Sequence, residues 1–87
     1  MKRVKDMPKI HDIKNYNIYI YYQDHQPPHV HIRYKKMAIA SMTINDVVVL
    51  EGTIPITVDK EIRSWIISNR EDLLKMWEKA VKGDPIL

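Results

Sequence analysis

The first half of the chain alternates apolar and polar residues with the two-residue period of a β-strand. Four such runs are bounded by turn residues, and they are 17–22, 29–35, 37–43 and 47–51. In the first run Ile18 and Ile20 fall on one face, whereas Tyr19 and Tyr21 fall on the other. Because only short turns separate most of the runs, the pattern predicts an antiparallel meander of about four strands.

The second half of the chain has apolar residues at helical spacing. These positions are Ile62, Trp65, Ile66, Leu73, Trp77, Ala80 and Val81. Thr57 or Asp59 is the expected N-cap of the first helix. Ser68 and Glu71 have the spacing of a capping box, which predicts a break near residue 69 and therefore two helices, with one kinked helix as the alternative. Gly83 is expected to end the last helix.

Together these patterns predict an α+β fold in two layers. An antiparallel sheet of about four strands would be covered on one face by two C-terminal helices, in a single domain of residues 1–87. We expect residues 1–8 to form a flexible basic segment and residues 84–87 to form a tail. Trp65 and Trp77 lie on apolar helical faces, so we expect both to pack in the core against the sheet.

Composition limits the classes of protein to which the chain can belong. It has no cysteine, which excludes disulfides, thiolate metal sites and a Cys nucleophile. Its basic N-terminus is not followed by an apolar run, so no signal peptide is predicted. Its longest apolar runs are far below the roughly 20 residues that a membrane-spanning helix needs. We therefore expect a cytoplasmic protein without a membrane partner.

The charge is distributed unevenly along the chain. Residues 1–36 contain eight Lys and Arg against three Asp, whereas the remaining residues contain six Lys and Arg against eight Asp and Glu. A basic half could attract an acidic partner or a phosphate backbone. For so modest an excess, an ordinary solvated surface is the favoured interpretation.

The segment 24–31 concentrates most of the reactive side chains. It contains three histidines within seven residues, and they are His25, His29 and His31. His29 and His31 are two positions apart in a predicted strand, so both rings project from one face, and Arg33 extends that row. Two prolines at 27 and 28 stiffen the turn that carries Asp24 and His25.

Outside this segment the sequence offers little further chemistry. His11 stands next to Asp12 and would join the histidines only if the N-terminal segment folds back. Glu51 ends a predicted strand, where we expect it to be solvated. Ser41 lacks the sequence context of a nucleophile.

Four interpretations of the histidine segment remain open. In one, His25, His29 and His31 bind a divalent transition metal, zinc or nickel, with Asp24 as a further ligand. In another, His29 and His31 are catalytic acid and base while Arg33 stabilises a phosphate, as in metal-independent RNA cleavage. In a third, these residues with Asp24 and Arg33 form a recognition surface. In the last, the histidines only hydrogen-bond the turn and the sheet edge.

Several segments also carry a resemblance to a known family. They are 7–10, 18–20, 24–31, 48–52, Trp65 and 71–77. Through them the chain resembles the small bacterial domain of unknown function 4160, from about Met7 to Gly83. The most specific part is Asp-His-x-Pro-Pro-His-x-His at 24–31. The chain departs from the family at Val30, where an aromatic residue is expected more often.

The resemblance implies a cytoplasmic bacterial or phage protein without an established activity. Members of the family look like components of two-gene modules, for which a toxin–antitoxin role has been suggested. We therefore expect an interaction module that binds a small protein partner, a second copy of itself or a nucleic acid. Its binding surface would contain Asp24, His25, His29, His31 and Arg33. The alternative is a His-dependent nuclease or a metal-dependent hydrolase that uses the same histidines.

Overall fold

The chain folds into a sheet layer and a helix layer in a computed structural model that describes residues 8–86. The elements are β1 (Lys9–Ile13), β2 (Tyr16–Tyr19), β3 (His29–Tyr34), β4 (Met37–Thr43), β5 (Val49–Gly52), α1 (Ile56–Ser68) and α2 (Arg70–Lys82). All strands pair antiparallel with their sequence neighbours, in the order β1-β2-β3-β4-β5. The predicted α+β class, the meander and the two C-terminal helices are confirmed.

Within residues 8–86 the sheet has five strands rather than about four, and the strand that was not predicted is β1. This strand pairs with β2 through a turn in which Lys14 has a φ of 55°. Only its last residue, Ile13, is buried. A mostly polar edge strand has no alternation of apolar and polar residues, so its sequence does not indicate a strand. The predicted run 17–22 is also shorter as a strand and ends at Tyr19.

The core lies between one face of the sheet and the two helices. Ile18, Ile32 and Ala40 are in register on three strands and are buried on that face. Ile66 and Leu73 are buried on the helix side of the same core. Burying such a side chain contributes about 1.5–3 kcal/mol, so this layer supplies most of the fold's stabilisation.

Residue 69 separates the two helices, but their caps differ from the prediction. Pro55, not Thr57 or Asp59, is the N-cap of α1, because its fixed φ of −56° directs the chain into the helix and its carbonyl accepts the first bonds. The Ser68 capping box does not form. Asn69 is the N-cap of α2 instead, and its side chain donates to a carbonyl of α1.

The structure describes the two ends of the chain to different extents. Most of the expected flexible segment, residues 1–7, lies outside the described residues, as does Leu87. Ile86 is buried in the core, and its backbone N–H donates to Tyr22 Oη at 3.2 Å. Trp77 is buried as expected, whereas Trp65 is partly buried against the core. Neither of the two helices within residues 8–86 is long and apolar enough to cross a membrane.

Candidate metal centre

The loop between β2 and β3 directs an aspartate back toward the sheet. The loop is fixed to the helix layer because the Gln23 N–H donates to the Ala80 carbonyl at 3.0 Å. Asp24 Oδ1 then accepts the N–H of His25 at 2.8 Å, a local bond typical of aspartate in turns. The other carboxylate oxygen, Oδ2, is thereby left facing the start of β3.

Three potential ligand atoms converge at this point. Asp24 Oδ2 lies 2.6 Å from His31 Nε2 and 3.0 Å from His29 Nε2. The ligand atoms of the three residues all lie within 4.8 Å of one another. The two histidines are close together because His29 and His31 project from the same face of β3. Asp24 reaches them because the loop between β2 and β3 directs its carboxylate toward that face.

The hydrogen bond on the far side of His29 fixes its tautomer. His29 Nδ1 lies 2.7 Å from the carbonyl oxygen of Pro27. A carbonyl can only accept, so Nδ1 carries a proton and donates it. A neutral His29 therefore presents an unprotonated Nε2 toward Asp24 Oδ2, and either a second proton or a cation between the two atoms is required to make that contact favourable.

Aromatic neighbours hold both imidazole rings in place. The Tyr21 ring stacks on His31 with a centroid distance of 3.7 Å and an interplanar angle of 8°. The Trp77 ring lies 5.1 Å from the ring of His29. Fixed rings lose little conformational entropy on binding a ligand, so the pair of nitrogens is preorganised.

The electrostatic surroundings keep Asp24 ionised. Burial alone would raise the pKa of Asp24, but hydrogen bonds from His31 and from the His25 backbone outweigh that effect. Positive charge on the rings of His29 and His31 adds to the lowering, so the pKa of Asp24 lies below its ordinary value. An anionic carboxylate beside two imidazoles is a donor set for a divalent cation.

The cluster is nearly enclosed, whereas His25 beside it is exposed. The His29 side chain is 1% exposed, and those of Asp24 and His31 are 12% and 17% exposed. His25 is 68% exposed, with its Nε2 at 3.6 Å from Asp24 Oδ1. Its ring stacks on that of His29 at 4.9 Å.

The structure thus brings together some of the predicted site residues but not all of them. Asp24, His29 and His31 form one cluster, and His25 lies at its rim. Arg33 points elsewhere, because its guanidinium donates to Tyr21 Oη and to the carbonyl of Lys36.

Two residues of the site were not identified from the sequence as parts of it. The sequence placed Tyr21 on the face opposite Ile18 and Ile20, and Trp77 was assigned to the core. The alternation that puts Tyr21 opposite Ile20 indicated its face, but not its stacking on His31. The contact of Trp77 with His29 depends on how α2 packs.

The cluster could hold a metal ion. Zinc–nitrogen bonds of about 2.0–2.1 Å in a tetrahedral site put neighbouring ligand atoms about 3.3 Å apart. The observed contacts of Asp24 Oδ2, 2.6 Å to His31 and 3.0 Å to His29, are shorter than this spacing, so the carboxylate and the rings would have to move slightly apart to admit an ion. The Pro27 carbonyl already orients His29 as outer-shell partners orient metal-binding histidines.

Comparison with known proteins identifies a family but no activity. The family model of a domain of unknown function (DUF4160) matches residues 15–78, which include the loop and every residue of the cluster. No curated protein and no solved structure matches the chain.

Proposed function

Because the chain belongs to the DUF4160 family, whose description states no activity, we propose from its geometry that it binds one divalent transition metal ion, zinc or nickel. The ligands would be Asp24 Oδ2 and the Nε2 atoms of His29 and His31. One observation carries the proposal: His29 donates Nδ1–H to Pro27, so its other nitrogen is directed at a carboxylate oxygen that also contacts His31.

The number of ligands indicates what the ion would do. Structural zinc sites have four protein ligands, whereas catalytic sites have three and keep a position for water or substrate. A bound ion of this kind lowers the pKa of its water and supplies a nucleophile at neutral pH. With Asp24, His29 and His31 as three ligands, we propose metal-dependent hydrolysis as the reaction class, with His25 at the rim as a proton carrier. A fourth bond from His25 would make the site structural instead.

The experiment that tests metal binding is a competition titration with zinc and nickel against a chromophoric chelator. We expect one ion per chain for the wild type. His29→Ala and His31→Ala should each weaken binding by more than about a hundredfold, because they remove ligand atoms. His11→Ala removes a histidine outside the cluster and is the matched control. Equal binding by all three variants, or none by the wild type, would contradict the proposal.

His25 needs a separate variant because its position is different. If His25 is a ligand, His25→Ala should weaken metal binding as strongly as His31→Ala does. If it only carries protons, metal affinity should stay near the wild-type value. This variant therefore decides whether the ion has three or four protein ligands.

A second candidate function is the binding of a protein partner, and the β5 edge of the sheet favours it. Among the described residues this edge strand pairs only with β4. Its Leu50 is exposed, as are Val48 just before the strand and Ile56 at the start of α1. Exposed edge strands are templates for strand addition by a partner. The toxin–antitoxin role stays a prediction from the family resemblance.

The partner hypothesis is tested by co-expression with the product of the neighbouring gene, followed by size-exclusion chromatography with light scattering. A complex of defined stoichiometry that is lost in Leu50→Lys would support it. Elution of the two proteins as separate species would contradict it.

The nucleic-acid alternative predicts RNA cleavage in EDTA that is lost in His29→Ala. Equal activity of the wild type and His29→Ala would exclude this alternative.

A further inference from the structure

A groove on the open face of the sheet begins where the candidate metal centre ends. It has a volume of about 250 Å³ and shares His31 with that centre. Its other lining residues are Ala38, Ile39, Ala40, Ser41, Glu51 and Gly52. The groove lies on β4 and β5 and does not include Asp24 or His29, so it can be tested without a metal ion.

Small residues produce this concavity. Gly52 passes so close to β4 that a Cβ atom at this position would lie 1.9 Å from the Ile39 carbonyl oxygen. Its φ of 77° is also a conformation that residues with a side chain rarely adopt. Ala38 adds only a methyl group, and the Ala40 side chain is buried on the opposite, core face. The groove is therefore shallow and partly apolar, beside the polar side chains of His31, Ser41 and Glu51.

The three polar side chains of the groove lie in one row across the sheet. His31 pairs with Ser41 on β4, and Ser41 pairs with Glu51 on β5. Antiparallel partners point to the same face, so the three side chains are neighbours on the open side. The row ends at Glu51, which is exposed.

Neither Ser41 nor Glu51 has a charged or hydrogen-bonding partner among the described residues. The Ser41 side chain is 3% exposed, and its hydroxyl forms no hydrogen bond within residues 8–86. Buried hydroxyls without a partner are rare, which indicates a missing ligand group or water. Over the same residues no cation lies within ion-pair distance of the Glu51 carboxylate.

We propose that this groove binds a primary amine or guanidinium group carried on a short apolar stem. The carboxylate of Glu51 accepts hydrogen bonds from the cationic head, and Ser41 supplies an additional acceptor. Ala38 and Ile39 contact the stem. An anionic ligand is disfavoured, because Glu51 would repel it and would remain unpaired.

The test is an NMR titration of ¹⁵N-labelled protein in EDTA, so that no metal binding is required. The probe is butylammonium chloride, and sodium butyrate has a stem of similar length with the opposite charge. We expect saturable amide shifts centred on residues 38–41 and 51–52 with butylammonium only. Equal shifts with both probes, or shifts scattered over the surface, would overturn the proposal.

Variants separate the groove from general charge effects. Glu51→Gln should weaken butylammonium binding about tenfold, because a charge-assisted hydrogen bond is lost. Ser41→Ala should weaken it by a smaller factor, about threefold. Glu78→Gln removes an exposed carboxylate from α2 and should leave the affinity unchanged. An equal loss in Glu51→Gln and Glu78→Gln would show non-specific attraction and would overturn the proposal.

A further pair of ligands distinguishes a free amine from a lysine within a peptide. Butylammonium is compared with an acetylated and amidated Gly-Lys-Gly tripeptide. Tighter binding of the tripeptide would identify a peptide side chain as the natural ligand. Tighter binding of the free amine would identify a small molecule. Failure of both ligands would overturn the groove proposal and leave the metal proposal intact, because the titration contains EDTA.

Discussion

Two parts of the molecule contain an adjacent His and Asp, and they differ in almost everything else. In the loop region, Asp24 turns toward His29 and His31, and three ligand atoms meet within 4.8 Å. On β1, His11 stacks flat on Trp65 at 4.5 Å, and Asp12 accepts bonds from Asn17 and Lys9. The comparison shows that the same residue types form a candidate site only where a loop and a strand direct their atoms to one point.

The partners of the two aspartates explain the difference. Asp12 is half exposed and meets a lysine, so its charge is already neutralised in a solvated pair of little energetic consequence. Asp24 is mostly buried, and within residues 8–86 its carboxylate contacts imidazoles and the His25 backbone N–H, with no Lys or Arg at ion-pair distance. A metal ion can replace protons on imidazole nitrogens, so this carboxylate stays available to a cation.

The largest effect is expected from removing one aspartate at a time. Asp24→Asn should weaken zinc binding by more than about a hundredfold, because the anionic ligand is lost while the amide remains in its place. Asp12→Asn should leave the affinity unchanged. The measurement is the dissociation constant by chelator competition at pH 7. Similar losses in the two variants would contradict the distinction between the regions.

Metal should also stabilise the folded protein through the loop region alone. Zinc at a hundred times its Kd should raise the free energy of unfolding by about 2.7 kcal/mol in the wild type. The increase should persist in His11→Ala and disappear in Asp24→Asn. Urea unfolding with and without zinc measures it. A gain that survives in Asp24→Asn would place the ion somewhere else.

Tyr21 tests whether ring stacking preorganises the site. Tyr21→Leu should weaken metal binding about tenfold, since His31 loses the ring that fixes its orientation. Tyr21→Phe keeps the stacked ring and should bind nearly as tightly as the wild type. If the two variants lose affinity equally, the phenol hydroxyl rather than the stacking is responsible.

The pH dependence of stability should follow Asp24. Its pKa in the folded protein is below the ordinary value of 3.8. Stability from this group is therefore complete above the unfolded pKa and is lost as the pH falls through the folded pKa. Metal-free wild type should lose stability more steeply below about pH 4 than Asp24→Asn does, in urea unfolding measured at several pH values. Parallel profiles would refute this.

The smallest effect is expected on β1. His11→Ala should lower the free energy of unfolding by about 0.5–1.5 kcal/mol, because the aromatic stack on Trp65 is lost. Thermal unfolding of the metal-free protein measures this change. His11→Phe keeps a stacking ring and should recover most of the stability. No difference between the two variants would indicate that the stack contributes nothing.

The sequence predicted the parts of this architecture that depend on local periodicity. Alternation placed His29 and His31 on one face of a strand, and the apolar spacing after residue 56 predicted two helices. It did not reveal β1, because that strand buries little. It also missed Pro55 as a cap, since a proline at that position acts through its backbone rather than a side chain.

The convergence of the site could not be predicted in the same way. The direction of Asp24 depends on the path of a loop that is bonded to α2 through Ala80. The burial of His29 depends on Trp77, which is 48 positions further along the chain. Ser41 and Glu51 become neighbours only through strand register. Each of these contacts is long-range, and sequence patterns report mainly short-range order.

Observing the histidine nitrogens during zinc addition tests the proposed metal centre directly. Long-range ¹H–¹⁵N correlation spectra of the imidazole rings distinguish Nδ1 from Nε2 in each residue. With one equivalent of zinc, we predict large shifts of Nε2 in His29 and His31, while Nδ1 of His29 stays protonated toward Pro27 and His11 does not respond. Unchanged Nε2 signals in both residues, or a response confined to His11, would show that Asp24, His29 and His31 do not form a metal centre.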